Sequence, residues 1–172
     1  GNTLQEAGRL DEAKTNFKLA IALKPDYPKA YINLANVLKK LGQSEGAEAS
    51  CRQAIELDPR FSEAYNTLGI ALNEQGKFSE AIAAYVDAIE LEPSLTSAYR
   101  NLGAVLQKGK FDEAGQHLYP ILIDLFGNGN VVLARDIVKA IVSLLHHDPL
   151  IKDLLAENKE FNKISEITAA IA

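Results

Sequence analysis

The chain has one cysteine, Cys51, so no internal disulfide can form. It has no Met and no Trp, and its six Phe and six Tyr leave few platforms on which bases could stack. It also lacks a basic excess: 18 Lys and Arg stand against 23 Asp and Glu, a formal net charge of −5. That balance argues against nucleic acid as the main partner. No run of residues is long and apolar enough to cross a membrane as a helix. There is no Gly-rich phosphate loop, because the glycines stand where helices stop. Only three histidines are present. His146 and His147 are adjacent, so they point to different helical faces, and they read as a solvated helix end with Asp148. His117 has no cysteine or second histidine at helical spacing. No cofactor, metal or catalytic residue is expected in this chain. Cys51 reads as a buried small hydrophobe, which fits a reducing compartment, and a cytoplasmic location is the expectation.

What the chain does have is a period. From Ala64 to Pro93 the sequence reads as two amphipathic helices back to back. Ala64, Tyr65, Leu68, Gly69 and Leu72 share one helical face. Gly76 follows as a stop, and Ser79 is placed to cap the next helix. That helix carries Ala81, Tyr85, Ala88 and Ile89 inward and ends at Pro93. Small residues at Gly69, Ala81 and Ala88 let the backbones approach, while Tyr65, Leu72 and Tyr85 fill the space beside them. The unit then recurs at intervals of 34 residues. Pro25, Pro59 and Pro93 keep that spacing. So do Gly8, Gly42 and Gly76; Ala13, Ala47 and Ala81; Ala20, Ala54 and Ala88; Tyr31, Tyr65 and Tyr99; and Leu34, Leu68 and Leu102.

A period of ~34 with these columns resembles the tetratricopeptide repeat (TPR). The period alone implies a stacked helical array. The resemblance further implies an all-α, right-handed superhelix of antiparallel helix pairs that binds peptides in its concave groove. Residues 1–114 read as the array: a partial first repeat, two full repeats and the start of a degenerate fourth. Gly1 aligns with Ala35, Gly69 and Gly103, so the chain enters its first repeat in mid-helix. It reads as a fragment, and any targeting signal would lie upstream.

The spacing predicts a partial helix Gly1–Ala7 followed by Asp11–Leu23, then the pairs Pro28–Leu41 with Ser44–Leu57 and Ser62–Gln75 with Ser79–Leu91. Thr96 opens the fourth unit. Pro28 suits a first helical turn. Asp11-Glu12 and Asp112-Glu113 read as first-turn residues that complement the helix dipole. One residue is missing between Leu106 and Gly109, which predicts a tighter turn. Residues 115–172 read as a helical capping or connector segment. Its expected features are a kink near His117 from Pro120, a break at Gly127–Asn130, a helix from Val131 to His146, a short one from Pro149 to Ala156, and an apolar stripe of Phe161, Ile164, Ile167 and Ile171. A cap closes the open end of an array; a connector packs on a further domain.

The candidate site is the stripe beside the core face of each first helix. In the second unit it comprises Lys29, Asn33, Asn36 and Lys40. The matching stripes are Asn2 and Gln5; Asn66, Thr67 and Asn73; and Arg100, Asn101 and Gln107. Amides dominate, although Asn is a mediocre helix former. The pattern resembles the asparagine ladder in the TPR arm of O-linked N-acetylglucosamine transferases, where an Asn before the Leu of each first helix holds the peptide main chain. Asn33 and Asn101 match that position and Thr67 departs from it. The carboxylate clamp of chaperone-binding repeats is not matched, because Ile32, Thr67 and Ala104 stand at positions it needs.

The expected function is a non-catalytic scaffold that binds a protein or an extended peptide in the concave groove. The alternative is the substrate-recognition arm of a larger enzyme, a glycosyltransferase or methyltransferase. Self-association by end-to-end stacking is a further possibility.

Overall fold

A computed structural model describes residues 2–107, with the backbone alone for residues 2–7 and 107. These residues form six helices: α1 (Asn2–Leu23), α2 (Pro28–Lys40), α3 (Ser44–Leu57), α4 (Ser62–Glu74), α5 (Phe78–Leu91) and α6 (Thr96–Gln107). α2 packs on α3 and α4 on α5 to make two antiparallel pairs, and α1–α2, α3–α4 and α5–α6 contacts stack the array. This is the all-α helical repeat expected from the period.

The turns inside the pairs are built by glycine. Gly42 and Gly76 have φ of 69° and 77°. Beyond α2, the Gly42 amide donates to the Lys39 carbonyl at 2.9 Å and the Gln43 amide to the Leu38 carbonyl at 2.9 Å. After α4, Gly76 donates to Asn73 and Lys77 to Leu72, at 3.1 and 3.0 Å. Each is a Schellman closure, which needs a left-handed residue after the helix end. Lys77, not a serine, occupies the N-cap of α5, and the helix begins at Phe78, one residue before the expected Ser79. Pro28 occupies the first turn of α2 as expected.

One expected turn is absent. α1 is a single helix of 22 residues that passes through Gly8, where two helices were expected, Gly1–Ala7 and Asp11–Leu23. Folding back so short a first helix would bury little. Running on keeps every backbone hydrogen bond and costs roughly 1 kcal/mol for the glycine. Asp11 and Glu12 consequently lie inside α1 rather than in a first turn, and Asp11 forms an exposed pair with Lys14 at 2.9 Å.

The core follows the repeat columns. Ala47, Ala54, Ala64, Ala81, Ala88 and Ala98 are fully buried, and Tyr85, Leu72, Ile82 and Leu102 fill the space between them. A Cβ on Gly69 would stand only 2.5 Å from Cε1 of the Tyr85 ring, so the ring lies directly against that backbone. The corresponding pair of columns in the preceding unit holds Ala35 and Cys51, both fully buried. A smaller side chain on the second helix there is matched by a methyl on the first. Burial pushes the Cys51 thiol up to about 12, which keeps it protonated and unreactive. The tighter turn between Leu106 and Gly109, Asp112-Glu113 and all expectations for residues 115–172 lie outside the described residues.

Candidate functional site

α2, α4 and α6 touch one another across successive units, whereas α3 and α5 are not in comparable contact. The first helices therefore crowd on one face, and the second helices splay on the other. That spacing defines the inner face as the one lined by α2, α4 and α6.

On α2, Lys29 and Lys40 are exposed, and Asn33 and Asn36 are half-buried beside them. The Lys39 ammonium is held below its ordinary pKa by burial, an effect that the nearby Glu74 carboxylate opposes. On α4, Asn66 and Thr67 are buried, at 8% and 3% exposure. The Asn66 side chain is committed to the next unit: it accepts from Asn101 Nδ2 at 3.0 Å and donates to Ser97 Oγ at 3.4 Å. Asn73 is half-buried, and its Oδ1 has no hydrogen-bond partner among the described residues. On α6, Arg100 is exposed and Asn101 half-buried. Asn2 stands at the start of α1 and Gln107 at the end of α6.

The structure thus brings Asn66 and Asn101 into contact and leaves Asn33 and Asn36 on the neighbouring α2. Ser97 was not singled out from the sequence. It occupies the column of Lys29 and Glu63, and only its switch from a charged to a small polar residue signals that Asn66 reaches it.

A second polar cluster ties the units together at the turn after α4. Glu48, on α3, accepts from Gln75 Nε2 at 2.9 Å and Lys77 Nζ at 2.9 Å, and pairs with Arg52 at 2.9 Å. Burial alone would raise the Glu48 carboxyl, but hydrogen bonds from Lys77, Gln75 and Arg52 outweigh it and hold the group at about 2. Ser44 Oγ donates to Glu74 at 2.6 Å, and Ser62 Oγ to Glu92 at 2.5 Å. These bonds link one pair of helices to the following segment.

Paired helices, glycine-closed turns and a crowded first-helix face define a helical repeat module, and comparison with known proteins gives its family. A TPR repeat model matches residues 1–42 and 71–109, and two tetratricopeptide repeat models match residues 28–61 and 50–83. The first TPR of Spaghetti (RPAP3), bound to the HSP90 peptide SRMEEVD, is similar at 29% identity over 63% of this chain and 86% of its own, with a TM-score of 0.57. The second TPR domain of human RPAP3, in complex with the HSP70 peptide SGPTIEEVD, is 30% identical over 61% of this chain and 88% of its own, with a TM-score of 0.55. The Sgt2 TPR domain from Aspergillus fumigatus is 26% identical over 63% of this chain and 73% of its own, with a TM-score of 0.57. The chain belongs to the tetratricopeptide repeat family. No curated protein matches it.

Proposed function

We propose that this chain is a non-catalytic scaffold that holds an extended peptide segment along the inner face of α2, α4 and α6. The observation that carries this reading is the row of half-buried amides on that face, Asn33 and Asn36 on α2, Asn73 on α4 and Asn101 on α6. An amide side chain both donates and accepts, so it pairs with a peptide main chain whatever the ligand's side chains are. Asn66 holds Asn101 in place instead of facing the ligand. A ladder of the glycosyltransferase type is thereby interrupted at Thr67, with Asn33 and Asn101 on either side of the break. Lys29, Lys40 and Arg100 flank the amides and favour acidic residues in the ligand. The peptides bound in the RPAP3 structures, SRMEEVD and SGPTIEEVD, are acidic segments of this kind. Because Ile32, Thr67 and Ala104 do not supply a carboxylate clamp, the contact made here is with the main chain and acidic side chains rather than with a terminal carboxylate. A reducing, cytoplasmic setting suits the buried, protonated Cys51.

Calorimetry with SRMEEVD as free acid and as C-terminal amide tests this reading. The two forms bind with equal affinity, within about twofold. Asn33→Ala with Asn36→Ala weakens both roughly tenfold, about 1.4 kcal/mol, without altering the helical circular dichroism. Unchanged binding in that variant, or a large preference for the free acid, overturns the reading.

A further inference from the structure

The outer face, where the second helices splay, holds a cleft that the peptide-binding reading does not use. It lies between α3 and α5 over α4, with a volume of about 460 Å³. That is within the range of small-ligand sites, enough for a few side chains and too small for a folded element. Its floor and walls are apolar: Leu68 and Leu72 lie at the bottom, and Ile55, Tyr65 and Ala83 are half-buried around them. The Tyr65 ring is fixed as a wall, because its hydroxyl donates to the Pro59 carbonyl at 3.2 Å.

The rim is charged, and its charges do not cancel. Arg52 is shared between Glu48, at 2.9 Å, and Glu80, at 3.4 Å. Among the described residues Glu56 accepts only from the neutral Gln53 amide, at 3.0 Å. Asp87 has no hydrogen bond or ion pair among the described residues. Burial, with the Glu90 charge adding to it, pushes the Asp87 carboxyl above its ordinary value, so the group stands where a cation would be favoured. An apolar floor beneath uncompensated carboxylates is complementary to a side-chain pair of one large apolar and one cationic residue.

We infer that the α3–α4–α5 cleft is a second docking site, for a short segment of a partner protein that carries a Lys or Arg next to a Leu- or Phe-sized residue. The apolar side chain lies on the Leu68–Leu72 floor between Ile55 and Tyr65, and the cation meets Asp87 and Glu56. The site is on the opposite face from the amide row and prefers ligands of the opposite charge. One array can therefore hold an acidic segment on its inner face and a basic, apolar one on its outer face. This inference does not rest on the peptide-binding reading of the inner face.

The test is an amide-shift titration of the full chain with the blocked peptide Ac-Ser-Phe-Arg-Leu-Lys-Ser-NH2. Saturable shifts are expected at Ile55, Tyr65, Ala83 and Asp87, and the affinity weakens with added salt. Asp87→Lys, an exposed substitution, lowers the affinity tenfold or more, and Ala83→Phe, which fills the cleft, abolishes binding. Asn33→Ala with Asn36→Ala leaves it unchanged, so this site and the inner-face site are tested separately. Shifts confined to α2 and α6 overturn the inference. So does equal binding of the Glu-for-Arg and Glu-for-Lys peptide, or an Asp87→Lys variant that binds as the parent does.

Discussion

Gly69 is required by the side chain opposite it. It lies within α4, where backbone freedom is a cost, yet any Cβ there would meet the Tyr85 ring at under 3 Å. Tyr85 is only 1% exposed and has no space into which to swing. For Gly69→Ala, overpacking of ~1–3 kcal/mol exceeds the ~0.5–1 kcal/mol that alanine gains in a helix. The variant should melt several degrees lower, and an unchanged melting temperature would show that Tyr85 is mobile. Glu48 makes a second prediction at this scale. In the folded protein its carboxyl is held at about 2, below the ordinary value of 4.5. A depressed carboxylate contributes stability above its unfolded pKa, and that contribution fades as pH falls from about 4.5 towards 2. Glu48→Gln should cost about 1–2 kcal/mol at pH 7, since Arg52 and Lys77 are half exposed and screened. The gap between variant and parent should narrow in urea titrations taken from pH 5 down to pH 3. A gap independent of pH would mean that Glu48 acts by packing alone.

Single elements show where sequence columns and structure part. Gly8, Gly42 and Gly76 occupy one column, but only Gly42 and Gly76 are left-handed. Gly8 is inside α1 with nothing within 4 Å of a Cβ. Gly8→Ala should therefore stabilise the protein by ~0.5–1 kcal/mol, whereas Gly42→Ala, strained at φ 69°, should destabilise it by about as much or more. Thermal melts of the two variants read opposite signs, and a Gly8→Ala loss would mean that the expected turn forms after all. The columns made α2 to α6 legible within a residue or so, because Pro28, Gly42, Pro59, Gly76 and Pro93 mark their ends and alanine columns mark the core. They could not reveal α1, since a column records the residue and not whether enough surface is buried to enforce the turn. The inner face was legible as a stripe of amides, but which amides are spent on each other was not. Asn66 reaches Ser97 and Asn101, at sequence separations of 31 and 35, through the way the pairs stack. The apolar lining of the outer cleft follows repeat columns, since Ile55 stands in line with Ile21 and Ile89 and Leu72 with Leu38 and Leu106, but its charge does not: Asp87 stands in the column of Leu19 and Gln53.

Over the whole array, each pair touches chiefly the next, so stability passes along it in one dimension. Among the described helices α6 is held chiefly by α5 and α4. The polar ties across its contact with α4 are the two hydrogen bonds of Asn66, to Asn101 at 3.0 Å and to Ser97 at 3.4 Å. Asn66→Ala removes both and leaves the apolar packing of Ala98, Tyr99 and Leu102 intact. At about 0.5–1.5 kcal/mol for each bond, α6 should open more readily by roughly 1–2 kcal/mol. Native-state hydrogen exchange resolves this by position. Protection should fall about tenfold or more in α6, less in α4 and α5, and not measurably in α2 and α3, which Asn66 reaches only through α4. A peptide held by Asn101 should then bind more weakly even though Asn66 does not touch it, because the loosened α6 presents that amide for a smaller fraction of the time. An equal loss of protection in every helix would show instead that the array opens as one cooperative unit, and the weakening of ligand affinity would then have to come from the inner face as a whole.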